Sequence, residues 1–272
     1  MKAFAKRMLF LLIGLYLALV VVAVFLSDRL MFLPHPSSYQ DGPEITKLTT
    51  RTGRKISAIY LANPTAKFTL LISHGNAEDL GDDRFWLDEL RRAGFSVLAY
   101  DYDGYGTSEG KPGEQAAYDD EDAAYDYLTV TRRIPPASII IYGRSVGSGP
   151  AVHLAARKPV AGLILQSPFV SAFRVLTRVP LLPFDKFPNY KDNRKVHCPL
   201  LIIHGDSDTV IAPWHGKKLY ELANEPKKYV PVPGADHNDL EIVAGKSYLE
   251  TLHQFAATIG PGQKDRASSA TL

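Results

Sequence analysis

The sequence predicts an α/β fold: a mostly parallel sheet with helices on both faces, preceded by one N-terminal transmembrane helix. Three observations predict it. The chain opens on an unbroken apolar run; after residue 68, short buried apolar runs alternate with amphipathic stretches; and the run Ile139-Ile140-Ile141-Tyr142 breaks into Gly143-Arg144-Ser145-Val146-Gly147 before continuing as a helix-like stretch.

At 272 residues and 46% hydrophobic content, the chain is long enough for one substantial core and too short for two comfortable domains plus an anchor. The spacing divides it into an anchor over 1–29, a connector over 30–43, a globular domain over 44–258 and a disordered tail over 259–272. A formal charge of +2, with both signs interspersed, gives no basic stripe and argues against a nucleic-acid partner. The lone Cys198 excludes an intrachain disulfide, and no Cys/His group has zinc-ligand spacing, so neither a metal nor another cofactor is expected.

Met8 to Leu26 is apolar throughout; as a helix its roughly 19 residues rise about 28 Å, the thickness of a bilayer core. A cleaved signal peptide is the competing reading, but its apolar region is shorter, about 7–15 residues, and ends in a small-x-small site. Val24-Phe25-Leu26-Ser27 lacks that pattern. Lys2, Lys6 and Arg7 precede the run, whereas Asp28, Arg29, Asp41 and Glu44 follow it. The N-terminus is therefore expected in the cytoplasm and the domain on the far side of the membrane.

Leu30 to Pro43 reads as an irregular connector. Ile45–Thr50 and Lys55–Leu61 then alternate around Arg51-Thr52-Gly53-Arg54, a hairpin signal. Phe68–Ser73 and Phe95–Tyr100 read as buried strands, with an amphipathic helix over Asp82–Ala93 between them, stopped at Gly94. The helix Gly113–Thr131 opens with acids and ends at Arg132-Arg133 before two prolines. Strands follow at Ser138–Tyr142, Val160–Leu165, Leu200–His204 and Lys228–Val232, separated by helical stretches over Ser148–Arg157, Trp214–Ala223 and His237–Phe255. Phe169–Phe187, apolar and proline-rich, is placed as a small lid over an open site. In such sheets the site lies at the carboxyl ends of the strands.

The chemistry is expected there. Glycines on either side of Ser145 permit a turn so tight that the serine takes a strained backbone conformation and lifts its hydroxyl clear of the sheet. A serine hydroxyl needs a base to take its proton and a carboxylate to hold that base. His237 follows the last strand in a glycine-containing turn and is the expected base. Asp208 lies a few residues beyond the end of Leu200–His204 and is preferred as the carboxylate over Asp206, which sits nearer the strand and suits loop amides. Asp236, adjacent to the histidine, reads as a turn residue. Gly75 lets the loop after Phe68–Ser73 turn its amides inward, and the backbone N–H groups of Asn76 and Val146 are expected to hold an oxyanion.

His74 reads as a ring that ties its loop together, and His153 as packed. His35, His197, His215 and His253 have no partner that the sequence names. The turn-rich segment Tyr100 to Ser108 suits a compact loop beside the site, with Asp101 bonded to loop amides; no helix opens there with phosphate-cradle spacing.

His74-Gly75-Asn76, Gly143-Arg144-Ser145-Val146-Gly147, His204-Gly205-Asp206-Ser207-Asp208 and Asp236-His237 occur in the chain order Ser, Asp, His. From about Leu48 to Phe255 the chain thereby resembles the α/β-hydrolase superfamily. Ser73 to Ala77, Asp101 to Gly106 and the N-terminal run resemble its membrane-associated subgroup that includes eukaryotic protein depalmitoylases. The resemblance implies a serine hydrolase acting on esters or thioesters of acylated small molecules, lipids or proteins. Those depalmitoylases are held to membranes by an acylated, cysteine-rich N-terminus, whereas this chain has an apolar helix and no cysteine there; the related single-pass members look closer. A serine peptidase of the same fold and a non-catalytic binding scaffold are the alternatives.

Overall fold

A computed structural model of the protein describes residues 1–259. The tail expected over 259–272 lies, beyond its first residue, outside the described residues.

Eight strands form one sheet: β1 (Ile45–Thr49), β2 (Lys55–Leu61), β3 (Thr69–Ser73), β4 (Ser96–Tyr100), β5 (Ile139–Arg144), β6 (Gly162–Gln166), β7 (Leu200–Gly205) and β8 (Lys227–Val232). Their order is β1-β2-β4-β3-β5-β6-β7-β8. The β1-β2 hairpin is antiparallel and joins β4 antiparallel; the five remaining pairings are parallel. The order reverses at β3, which lies between β4 and β5, so a crevice opens beyond the carboxyl ends of β3 and β5.

Every residue of β3, β4 and β6 is buried, as expected of parallel strands covered on both faces. Alternation sends Leu71, Leu98, Ile141 and Leu163 to one apolar layer, and Leu70, Val97, Ile140 and Ile164 to the other. The helices after the N-terminal pair are α3 (Arg84–Arg92), α4 (Glu114–Asp126), α5 (Ser148–Ala155), α6 (Ala172–Thr177), α7 (Asn189–Asp192), α8 (Trp214–Leu222), α9 (Leu240–Ala244) and α10 (Lys246–Thr258). Leu87 and Leu90 of α3 and Leu252 and Phe255 of α10 fill the second layer; Ala117 and Ala124 of α4, Ala151 and Val152 of α5 and Leu219 of α8 fill the first.

Three sequence expectations are adjusted. The helix expected over 113–131 is α-helical only to Asp126 and closes with a wider π turn, Tyr127–Thr131. The one expected over 237–255 starts at Leu240 and divides at Gly245. The connector is not a loose spacer. α1 (Lys2–Phe25) is followed at once by α2 (Ser27–Met31), so the 29/30 boundary falls inside a helix. Phe32 is then driven into the core, 2% exposed, with its ring against Tyr102, Tyr105 and Phe187. Ser38 bonds the Asp79 carboxylate and the Tyr39 hydroxyl donates to Asp101 at 2.5 Å. The anchor-proximal chain is thus part of the domain's packing, through contacts to residues 41 to 155 positions later in sequence.

α1 is 24 residues long, about 36 Å, and is apolar enough to cross a membrane; it is almost wholly uncovered by the rest of the protein.

Candidate active site

β5 ends at Arg144, Ser145–Gly147 form a single 3-10 turn, and α5 begins at Ser148. Ser145 sits at φ +51°, a left-handed backbone that a non-glycine residue adopts only under strain. The flanking glycines make the turn possible. A Cβ at position 143 would lie 2.6 Å from the Cβ of Ala151, and one at 147 would collide with the Ser73 carbonyl.

His237 Nε2 lies 2.9 Å from Ser145 Oγ, and His237 Nδ1 lies 2.8 Å from Asp208 Oδ2. With Nδ1 facing a carboxylate, the neutral ring carries its proton there and leaves Nε2 to accept from the serine hydroxyl. Asp208 accepts in addition from the backbone N–H groups of Val210, at 3.0 Å, and Ile211, at 2.7 Å. Burial alone would raise its pKa, but the bonds from His204 and His237, the charge of His237 and the Ile211 amide outweigh it and hold the carboxyl well below the usual range.

The two rejected aspartates have other partners. Asp206 accepts from the Gly234 amide and the Ser207 hydroxyl, and Asp236 from the amides of Thr209 and His237. Asp101 accepts from the Leu80 amide at 3.0 Å.

Asn76 follows β3 and Val146 follows the serine; both line one cleft of about 390 Å³ with Ser145 and His237. Among the described residues neither backbone N–H has a protein partner. The Asn76 side chain is committed elsewhere. Its Oδ1 accepts from the amides of Leu33 and Ala77 and from the Tyr105 hydroxyl, and its Nδ2 donates to the Met31 carbonyl at 2.7 Å. The loop that presents the Asn76 amide is therefore bonded directly to the chain that leaves α2.

His74 is fully buried. Nδ1 donates to the Gly75 carbonyl at 2.7 Å and Nε2 faces Asp101 at 3.4 Å. Burial works against its charge, but Asp101 together with Asp83 and Glu78 overrides this and raises the pKa to about 9. A ring protonated on both nitrogens cannot serve as a base, in keeping with its structural reading. His153 stacks on Tyr118 and bonds Asp192 at 3.0 Å. His35 pairs with Asp82, His215 accepts from the Val170 amide, and His253 bonds the Ala93 carbonyl; the ring bonded to Ser145 is that of His237.

Two residues beside the site, His204 and Arg144, have no role that the sequence alone assigns. The buried His204 ring places Nε2 3.2 Å from Asp208 Oδ2 and 2.8 Å from the Ile211 carbonyl, so Asp208 is held by two histidines. Arg144, just before Ser145, reaches Glu78 at 3.4 Å, Asp83 at 3.6 Å and Glu241 at 3.9 Å, tying the loop after β3 and helix α9 to the Ser145 turn. Its carboxylates outweigh the cost of burial and raise its pKa further, while burial and the neighbouring Glu78 push Asp83 up to about 7. A cation one residue before the candidate serine, with acids in the facing loop, is the signal that could have found it.

The phenyl and leucyl side of the cleft comes from Phe169 and the segment expected as a lid, where α6 contributes Ala172, Val175 and Leu176, and from Leu30 and Met31. For metals, His35, Asp79 and Asp82 are the described group whose ligand atoms lie within 4.8 Å of one another. They stand apart from the serine, and Asp79 is already bonded to Ser38 and to the amides of Gly81 and Asp82.

Comparison with known proteins places this architecture. The chain is 42% identical over 227 residues to alpha/beta hydrolase domain-containing protein 17B of Xenopus laevis, covering 82% of this chain and 78% of the relative. The human protein 17B is 41% identical over 227 residues, with the same coverage. This chain belongs to the α/β-hydrolase family. It is a hydrolase, and the mostly parallel sheet with helices on both faces is that family's fold. The family described as serine aminopeptidase S33 matches residues 64–183, which include Ser145 and stop short of Asp208 and His237. Among solved structures, the Pyrococcus furiosus esterase Pf2001 superposes with a TM-score of 0.71 at 19% identity, over 84% of this chain and 99% of that one. Est1E of Butyrivibrio proteoclasticus, solved with ferulic acid, superposes with a TM-score of 0.64 at 21% identity, over 78% of this chain and 99% of that one.

Proposed function

We propose that this α/β-hydrolase is a membrane-tethered serine hydrolase that cleaves carboxylic esters or thioesters of acylated small molecules, lipids or proteins. The observation that carries the reading is the Ser145-His237-Asp208 hydrogen-bonded chain, with links of 2.9 and 2.8 Å, set on a strained turn beside two free backbone donors.

His237 Nε2 takes the Ser145 proton as Oγ attacks the acyl carbonyl carbon. The carbonyl oxygen, now an anion, is held by the N–H groups of Asn76 and Val146. The carbon–oxygen or carbon–sulfur bond breaks as His237 returns the proton to the leaving alcohol or thiol, leaving an acyl-serine. Water enters, gives a proton to His237, attacks the same carbon and releases the fatty acid as the proton returns to Ser145. Asp208, kept ionised, holds the ring's orientation and stabilises its charged form. Such donors aimed at the oxyanion are worth about 2.7–4 kcal/mol each. The step uses no cofactor or metal.

α1 supports tethering, with the N-terminus cytoplasmic and the domain on the other side, as the basic residues Lys2, Lys6 and Arg7 direct. A tether confines the cleft close to the lipid surface and raises the effective concentration of amphiphilic substrates. No nucleic acid enters the reading.

A peptidase is the second reading, favoured by the S33 match over 64–183. Assay of one acyl group as a thioester, an oxygen ester and a p-nitroanilide on the same preparation separates them: ester and thioester turnover well above amide turnover supports the proposal, and the reverse order establishes the peptidase. Turnover of none of the three leaves the binding scaffold.

A further inference from the structure

Arg144 closes β5, and its side chain, 16% exposed, runs along the wall of the cleft that holds Ser145. Three carboxylates from three segments meet its guanidinium: Glu78 from the loop after β3, Asp83 from the start of α3 and Glu241 from α9. The guanidinium centre also stands 6.0 Å from the Trp86 ring, which packs edge-to-face with Tyr142 of β5.

Two of these carboxylates continue into the parts that surround the serine. Glu78 Oε1 accepts from the Gly75 backbone N–H. That approach depends on the glycine, since a Cβ at position 75 would lie 2.5 Å from the same oxygen. With the Gly75 N–H taken, the next amide, that of Asn76, has no protein partner among the described residues. Ala77, between Asn76 and Glu78, sits at φ +57°, a left-handed backbone that persists only where the surroundings hold it. On the other side, Glu241 stands four residues after His237 and accepts from Gln166 Nε2 at 2.8 Å. Gln166 Oε1 accepts in turn from the hydroxyls of Tyr142 and Tyr248. One cation thus faces the loop of the proposed oxyanion donor and the helix that follows His237.

We propose that Arg144 is a positioning residue for the reaction, holding the Asn76 amide where the oxyanion forms by way of Glu78; the proposal rests on the hydrolase reading above. The reason is charge. The imidazolium of His74, the other cation nearby, is spent on Asp101 and the Gly75 carbonyl and acts on Glu78 and Asp83 only through space. Crowding is felt even with the guanidinium in place, for burial and then the charge of Glu78 push Asp83 up to about 7. Without the guanidinium, Glu78 is the member with room to move: it lies in a loop, whereas Asp83 is built into the start of α3 and Glu241 is bonded to Gln166. Its departure carries the Gly75 N–H with it and turns the Asn76 amide off the reacting carbonyl.

The test uses the full chain in detergent with p-nitrophenyl butyrate as substrate. Arg144→Gln is expected to lower kcat about 10²-fold with KM within about twofold, since the donor acts on the tetrahedral anion and not on the bound ester. Arg144→Lys, which keeps the charge, is expected to be about tenfold faster than Arg144→Gln. The deciding variant joins Arg144→Gln to Glu78→Gln, where an amide oxygen still accepts from Gly75 and the repelling charge is gone. It is expected to turn over about tenfold faster than Arg144→Gln alone, a recovery that lost packing does not give. A double variant as slow as Arg144→Gln, or a loss carried by KM with kcat unchanged, overturns the role of Arg144 and leaves the hydrolase standing. Should Arg144→Gln not fold, the double variant is compared with Glu78→Gln: kcat values within about fivefold support the proposal, and a further loss of about 10²-fold overturns it. No turnover by the unmodified chain overturns the hydrolase reading and the positioning role together.

Discussion

The Asn76 side-chain amide donates to the Met31 carbonyl at 2.7 Å, joining the loop that carries the proposed oxyanion donor to the last turn before the core-bound Phe32. The geometry of the candidate site is thereby set in part by the chain that leads from the apolar helix.

Asn76→Ala removes that bond and the three that converge on Oδ1 while leaving the backbone N–H in place. A misplacement of about 1 Å at a reacting centre costs about 10²-fold. The expected result is a kcat lower by about that factor with KM within about twofold, measured on a soluble short-chain ester. An unaltered kcat would separate the connector from the site.

Phe32→Ala empties a position packed against three aromatic rings. Truncations of buried phenylalanine cost about 3–5 kcal/mol. Thermal unfolding of the domain is expected about 10 °C lower, with loss of activity before unfolding, because Tyr105 bonds both Leu33 and Asn76.

Asp208→Asn is expected to lower kcat by about 10³–10⁴-fold, since an amide there favours the wrong histidine tautomer. Asp206→Asn, at a carboxylate bonded to the Gly234 amide and Ser207, is expected to cost less than about fivefold by the same comparison. A larger loss from Asp206→Asn would exchange their roles.

These assignments show what the sequence could and could not reveal. Ser145 and His237 were legible because each sits in a local turn whose glycines are dictated by the chain reversal itself. Asp208 was legible from its offset beyond β7, and the parallel strands from apolar runs that bury both faces. Phe32 was not, since a single aromatic between Met31 and Leu33 has no period, and its neighbours lie 70 to 155 residues onward. Arg144 was not, because its carboxylates come from positions 78, 83 and 241, brought together only by the crossover of β3 and β5. His204 reads only as the last residue of a strand, which says nothing of the acceptor its ring meets.

His74 supplies the pH dependence of stability. Its folded pKa of about 9 lies above the 6.5 of an unperturbed ring, so between these values the folded chain binds more protons than the unfolded one. Its stabilising contribution is complete below pH 6.5 and is lost as pH rises through 9; at most it amounts to about 3 kcal/mol. Asp83, raised to about 7, and Asp120, raised to about 8 by burial, slope the same way over their own ranges, from 3.8 upward. The unmodified domain is therefore expected to lose denaturant resistance from pH 6.5 to 9, and His74→Gln to flatten that interval. A stability that rises across it would contradict the Asp101-held imidazolium.

The central claim is that Ser145, activated by His237, becomes the acylated nucleophile. Its most direct test is intact-mass and peptide mapping of the full chain after treatment with a fluorophosphonate. A single adduct on Ser145, absent in Ser145→Ala and formed at least 10²-fold more slowly in His237→Gln, is the predicted result. No adduct on the unmodified chain, or one equally fast without His237, would contradict it.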